Sequence, residues 1–176
     1  MKRFTMLMMM TVSVAAFGAD QMERAEMEKA IVAGGCFWGV EARFRETPGV
    51  IDAVSGYMGG HIDNPTYKQV CAGDTGHAEA VQVTFDDQQV SYRDLLDVFF
   101  DMHNPTTLNR QGADVGTQYR SIILSHNEQQ RALATDLIRE LDQQEFWDDP
   151  IVTTVEPFEA FYSGDNGIVP ELLLVK

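Results

Sequence analysis

The chemistry starts at Gly34-Gly35-Cys36-Phe37-Trp38-Gly39, which holds one of the chain's two cysteines. Two glycines stand before the thiol, two aromatic rings follow it, and a glycine closes the run. Upstream, Ala30 to Ala33 is apolar and reads as a short strand, placed at 30–34. Downstream, Val40 and Phe44 lie four apart on one face of a predicted helix over about 36–46. Cys36 therefore sits where a strand becomes a helix. Unpaired backbone N–H groups at a helix start favour an anion, so the position is expected to lower the thiol pKa and make a nucleophile. A buried structural cysteine is the bland alternative. The flanking glycines argue against it, because they let other groups approach the backbone closely.

Other side chains could serve that sulfur. Phe37 reads as core, and Trp38 is open between core and the wall of a small apolar pocket. Such a pocket suits a methyl or thioether group, since sulfur and aromatic rings attract. Glu79 stands among Ala78, Ala80 and Val81. Desolvation there would raise its pKa and keep a proton on it near neutral pH, whereas an edge-strand position would leave it an ordinary charge. Tyr57, Tyr67 and Tyr119 lie in or beside turn-rich stretches. Each could donate a hydrogen bond to an oxygen, and each taken singly reads as an ordinary half-buried ring. Asp114 looks locally like a turn aspartate. His77 and His103 could join Cys36 and Cys71 in a zinc site, but no C-x₂-C or H-x₃-H spacing supports one. A cysteine hydrolase using Cys36, a histidine and Asp114 stays open, as does a non-catalytic module that binds methionine-rich segments.

The elements that must position these residues follow from periodicity. Strands are expected at 30–34, 50–55, 78–85, 119–124 and 151–155. Helices are expected at 36–46, from Ser91 through Phe100, and from Asn127 through Gln144, with long turn-rich stretches after 55 and over 104–116. This order predicts an α+β fold, a ferredoxin-like α/β sandwich with a mixed sheet, helices packed on it and long functional loops.

Composition narrows the partners. The chain has 176 residues and a net charge of −14, which argues against nucleic acid and anionic lipid. Two cysteines are too few for a disulfide framework. Lys2 and Arg3 precede a nearly all-apolar run from Phe4 to Phe17, and Ala16-Phe17-Gly18 offers small residues. Residues 1–18 thus read as a signal peptide, too short to hold the chain in a bilayer, followed by one domain over 19–176. An exported protein, periplasmic or extracellular, is expected.

Taken together these residues resemble the methionine sulfoxide reductase A family. Beside Gly35-Cys36-Phe37-Trp38-Gly39 stand Gly56-Tyr57-Met58-Gly59-Gly60, Asn64-Pro65-Thr66-Tyr67, Gly73-Asp74-Thr75-Gly76-His77-Ala78-Glu79-Ala80-Val81 and His103 through Gly112. Asp114-Val115-Gly116-Thr117-Gln118-Tyr119-Arg120-Ser121 completes the set, in the family's order. The resemblance runs from about Lys29 to Tyr162. It implies that Cys36 attacks the sulfoxide sulfur, that Phe37 and Trp38 receive the substrate methyl, and that Glu79 protonates the oxygen. It further implies that Tyr67 and Tyr119 hydrogen-bond that oxygen, while Asp114 helps order the site. A cysteine sulfenic acid would remain, the first reversible rung of thiol oxidation. The resemblance also implies activity on the S epimer, free or in oxidised proteins, as protein repair under oxidative stress. No metal or organic cofactor is expected, thioredoxin or a thioredoxin-like domain would restore the thiol, and a monomer is expected. The chain departs from the pattern at its end, where an atypical, largely apolar tail carries no cysteine after Cys71. Cys71 could resolve the sulfenic acid, an external thiol could do so instead, or Cys71 could be structural.

Overall fold

The computed structural model describes residues 27–164. The expected signal peptide at 1–18 and the end of the tail lie outside them. A six-stranded sheet runs through the molecule in the order β7-β6-β1-β3-β2-β8. Its strands are β1 (Met27–Ala33), β2 (Val50–Met58), β3 (Ala78–Asp86), β6 (Ile122–Ser125), β7 (Thr154–Pro157) and β8 (Phe161–Ser163). The four inner strands β6-β1-β3-β2 pair antiparallel throughout, which is the ferredoxin-like arrangement, and β7 joins β6 in parallel, which makes the sheet mixed.

Each helix is set by its own sequence. α1 (Phe37–Arg45) buries Phe37, Val40 and Phe44. α3 (Tyr92–Met102) begins with a capping box in which Ser91 and Asp94 satisfy each other's backbone N–H groups. α4 (Glu128–Gln143) is capped by Asn127 and turns Ala134 and Leu137 inward. These three helices pack on one face of the sheet, against Val32, Val81, Val83, Phe85 and Ile123. The opposite face carries Ile31, Ala33, Met58, Ala78, Ala80, Ile122 and Leu124, covered by Phe158 and Phe161.

Those two phenylalanines explain the shape of the sheet. β7 and β8 lie at opposite edges, yet only four peptide steps separate Pro157 from Phe161. Five strand spacings laid flat span about 24 Å, and four extended steps reach about 14 Å. The sheet must curl for the chain to cross.

Several elements differ from the sequence reading. β2 continues to Met58, so Gly56 and Tyr57 are strand rather than loop, flanked by β3 and β8. The turn-rich stretch contains α2 (Tyr67–Ala72), fixed by a Thr66–Gln69 capping box and closed by Gly73 at φ 81°. The second stretch holds a small hairpin of β4 (Arg110–Gln111) and β5 (Asp114–Val115), then a 3₁₀ turn over Thr117–Tyr119 that delays the next strand to Ile122. The strand expected at 151–155 begins at Thr154, where it can pair with Ile122.

Candidate active site

Cys36 is the N-cap of α1, with extended backbone at φ −60° and ψ 119°. Two glycines allow that entry. Gly35 has φ +98°, and a side chain there would meet Gln111 Cγ at 2.7 Å. A Cβ on Gly34 would come within 2.8 Å of the Phe99 ring. The β4–β5 hairpin and α3 thus press on the backbone just before the thiol.

The sulfur is half-buried and free. Its pKa is raised, against the sequence expectation. Burial is the main cause, and the charges of Glu79 and Asp114 add to it. The backbone N–H groups of Trp38 and Gly39 pull down as a helix start should, but they are outweighed. The first turn supplies what the sequence promised, and distant parts of the chain override it.

Glu79 lies in β3, 2% exposed, on the helix-covered face. Its Oε2 accepts the Phe37 backbone N–H at 3.1 Å. Burial pushes its pKa up to about 7, the Phe37 N–H lowers it, and Asp114 raises it again. Oε2 is committed to that N–H, so Oε1 is the oxygen free to carry a proton.

Aromatic rings crowd the same place. Phe37 is buried, its ring centre 5.8 Å from that of Trp38 and 5.7 Å from that of Tyr57. Trp38 is 46% exposed and stacks at 6.4 Å on Tyr67, the first residue of α2. Phe37 is core, as its sequence suggested, while Trp38 and Tyr67 form an open aromatic wall. The Tyr67 hydroxyl interacts with the sulfur of Cys71 one helical turn on, which raises the Tyr67 pKa. Tyr119 ends the 3₁₀ turn. Burial raises its pKa, with further contributions from Glu79, Asp114, Cys71 and Cys36. Asp114 is exposed on the hairpin. All seven residues assigned from the resemblance therefore converge, with Cys71 at the margin. Sequence reading left Tyr57 among ordinary rings. Its register opposite Glu79 is a long-range fact that no local signal carries.

The histidines do something else. His103 is buried, its Nδ1 2.6 Å from the Phe99 carbonyl and its Nε2 2.8 Å from Ser121 Oγ, and burial pushes its pKa down to about 4. His77 Nδ1 accepts the Gly60 N–H, and Nε2 faces the Ile62 carbonyl at 2.7 Å. With their ring nitrogens so engaged, neither is free to activate Cys36 as a hydrolase histidine would. Among the described residues no cluster of His, Cys, Asp and Glu could hold a metal ion.

Residues 28–167 match the family model described as peptide methionine sulfoxide reductase. The chain belongs to that family. It is 54% identical over 140 residues to peptide methionine sulfoxide reductase MsrA of Saccharolobus solfataricus, covering 80% of this chain and 78% of that one. Among solved structures, methionine sulfoxide reductase A of Corynebacterium diphtheriae superposes with a TM-score of 0.75 at 34% identity, over 80% of this chain and 71% of that chain. Mxr1 of Saccharomyces cerevisiae, solved in complex with Trx2, superposes with a TM-score of 0.60 at 25% identity, over 81% and 84% of the two chains. Membership in the peptide methionine sulfoxide reductase family makes this chain an oxidoreductase that reduces methionine sulfoxide.

Proposed function

We propose that the chain reduces the S epimer of methionine sulfoxide, in oxidised proteins and as the free amino acid, with Cys36 as nucleophile and Glu79 as acid. The observation that carries this reading is the Glu79 carboxyl: almost wholly buried, with a pKa raised to about 7, and tied to the N–H directly after Cys36.

The Cys36 sulfur attacks the sulfoxide sulfur while the Glu79 proton moves to the sulfoxide oxygen. Without that proton the departing oxygen would be an oxide, which no enzyme can expel. General acid help of this kind is worth ~10²–10⁴ in rate. The thiol proton returns to Glu79. In net terms one oxygen moves from substrate sulfur to Cys36, the substrate sulfur gains two electrons and the Cys36 sulfur loses two. The products are methionine and a Cys36 sulfenic acid. Protonation of Glu79 also removes one of the charges that hold the thiol pKa up, so the acid-ready site is the one in which a thiolate forms more readily.

The substrate methyl lies against Phe37 and Trp38, where an aromatic surface favours it. Tyr67 and Tyr119 donate to the sulfoxide oxygen. Both have raised pKa values and stay protonated as donors at any ordinary pH. Asp114 stands on the hairpin side of the site, where its charge adds to the burial that raises the pKa values of the thiol and Glu79.

Recycling needs a second thiol. It attacks the sulfenic acid, a disulfide forms and water leaves. Cys71 is exposed and is the chain's one internal candidate. An external thioredoxin-like protein would then reduce the disulfide, as the Mxr1–Trx2 complex suggests by analogy. The reading needs neither metal nor organic cofactor, and it takes the protein to be an exported monomer. Reduction of a methionine sulfoxide peptide driven by dithiothreitol tests it: turnover should vanish in Cys36→Ser. Cleavage of a peptide or ester would favour a hydrolase instead.

A further inference from the structure

Buried hydroxyls are nearly always hydrogen-bonded, and leaving one unpaired is costly. The Tyr57 hydroxyl is sealed from solvent and has no partner among the described residues. Tyr57 is 1% exposed and stands directly opposite Glu79 in the β2–β3 ladder. Residues paired this way in an antiparallel sheet point to the same face, with Cβ atoms about 4.5–5.5 Å apart. Both rest on the helix-covered face, where Phe37 packs on the Tyr57 ring and donates its N–H to Glu79. Glu79 Oε1 has no hydrogen-bond partner among the described residues. An unpaired donor and a half-satisfied carboxyl thus stand on the same face of neighbouring strands, close enough for the Glu79 charge to act on the Tyr57 hydroxyl.

Below about pH 7 Glu79 holds its proton, and a protonated carboxyl is a weaker acceptor than a carboxylate. After it gives its proton away it becomes a buried carboxylate, and hydrogen bonds to an ionised group are about twice as strong as neutral ones. We propose that Tyr57 is a positioning residue that acts through Glu79: its hydroxyl donates to the Glu79 carboxylate formed when the sulfoxide oxygen takes the proton, and releases it when Glu79 is protonated again. The proposal rests on the acid role of Glu79.

Tyr57 transfers no proton. Burial, then Glu79, then Cys71 push its pKa up to about 12, so it remains a donor throughout. The other groups facing Glu79 are distinct. Phe37 offers its N–H, Asp114 adds negative charge, and Cys36, Tyr67 and Tyr119 share its electrostatic surroundings. Phe37 N–H alone would leave the new carboxylate with one hydrogen bond. Tyr57 supplies a second from within the core.

The test is Tyr57→Phe in the full chain, which removes only the hydroxyl. Glu79 is titrated by carbon-13 NMR of its side-chain carboxyl, assigned by its loss in Glu79→Gln, and single-turnover rates are measured across the same pH range. A donor to the anion lowers an acid's pKa, so its removal should move the Glu79 titration up by about one pH unit. The falling limb of the rate profile should move with it, and Tm at pH 5, where Glu79 is protonated and the hydroxyl unpaired, should not drop. An unmoved Glu79 titration overturns the proposal and leaves the acid role standing. A drop in Tm at pH 5 would mean that the hydroxyl is already paired while Glu79 holds its proton, which also contradicts it. A parent rate profile indifferent to the Glu79 titration would overturn the acid role itself, and the proposal with it.

Discussion

The backbone N–H of Phe37 donates to Glu79 Oε2 at 3.1 Å, and Phe37 is the residue that follows Cys36. One hydrogen bond therefore fixes the acid relative to the helix start that carries the thiol. It also joins α1 to β3, two elements that local sequence cannot bring together.

Glu79→Gln keeps the shape and removes the proton. Sulfenic acid formation should slow by ~10²–10⁴ at pH 6, where the parent acid is protonated. The parent rate should fall as pH rises through about 7, the pH at which Glu79 titrates, while the variant shows no such limb. The gap should therefore narrow toward alkaline pH. Single-turnover rates across roughly pH 5–9, a window centred on that raised pKa, read it directly.

The same carboxyl makes a stability prediction of opposite sense. Its folded pKa lies above its unfolded value of 4.5, at about 7. Below 4.5 both states hold the proton and there is no penalty. As pH rises from there to about 7 the unfolded state ionises first, so the fold loses stability, on the order of 3 kcal/mol by the end of the window. Glu79→Gln escapes this. Its Tm should exceed that of the parent by a margin that grows between those two pH values and is constant above them. Thermal melts at several pH values check the trend.

These features were unevenly legible. Cys36 stood out because the glycines, the rings and the helix start are all local. Glu79 was readable as a carboxylate inside an apolar alternating strand. The direction of the Cys36 pKa was not, because it depends first on burial by the rest of the fold and then on carboxylates from β3 and the hairpin. Tyr57 looked like loop because Gly56 precedes it and Gly59 and Gly60 follow. Only pairing with β3 and β8 makes that stretch a strand. α2 is six residues long, too short for periodicity to declare it, and β8 is only three.

Trp38→Ala tests the aromatic wall. Trp38 is largely exposed and stacks on Tyr67, so stability should change little. Loss of an aromatic contact worth about 0.5–1.5 kcal/mol should raise KM for a methionine sulfoxide peptide by up to about tenfold. Steady-state kinetics separate this from a kcat effect.

Gly35→Ala tests the entry to the helix. A side chain at φ +98°, 2.7 Å from Gln111 Cγ, is both strained and crowded. The fold should lose about 1–3 kcal/mol, measured by denaturant midpoint. Gln111→Gly in the same chain, which removes both Gln111 Cγ and the Gln111 Cβ at 2.8 Å, should relieve the crowding but not the backbone strain, giving partial recovery.

If oxygen passes from substrate to the Cys36 sulfur, mass spectrometry of the chain after one equivalent of methionine S-sulfoxide will register it, with dimedone present to trap sulfenic acid. A dimedone adduct is expected on Cys36, absent in Cys36→Ser and strongly reduced in Glu79→Gln. Methionine formed without any oxidation or adduct at Cys36 would mean that the sulfur does not take the oxygen.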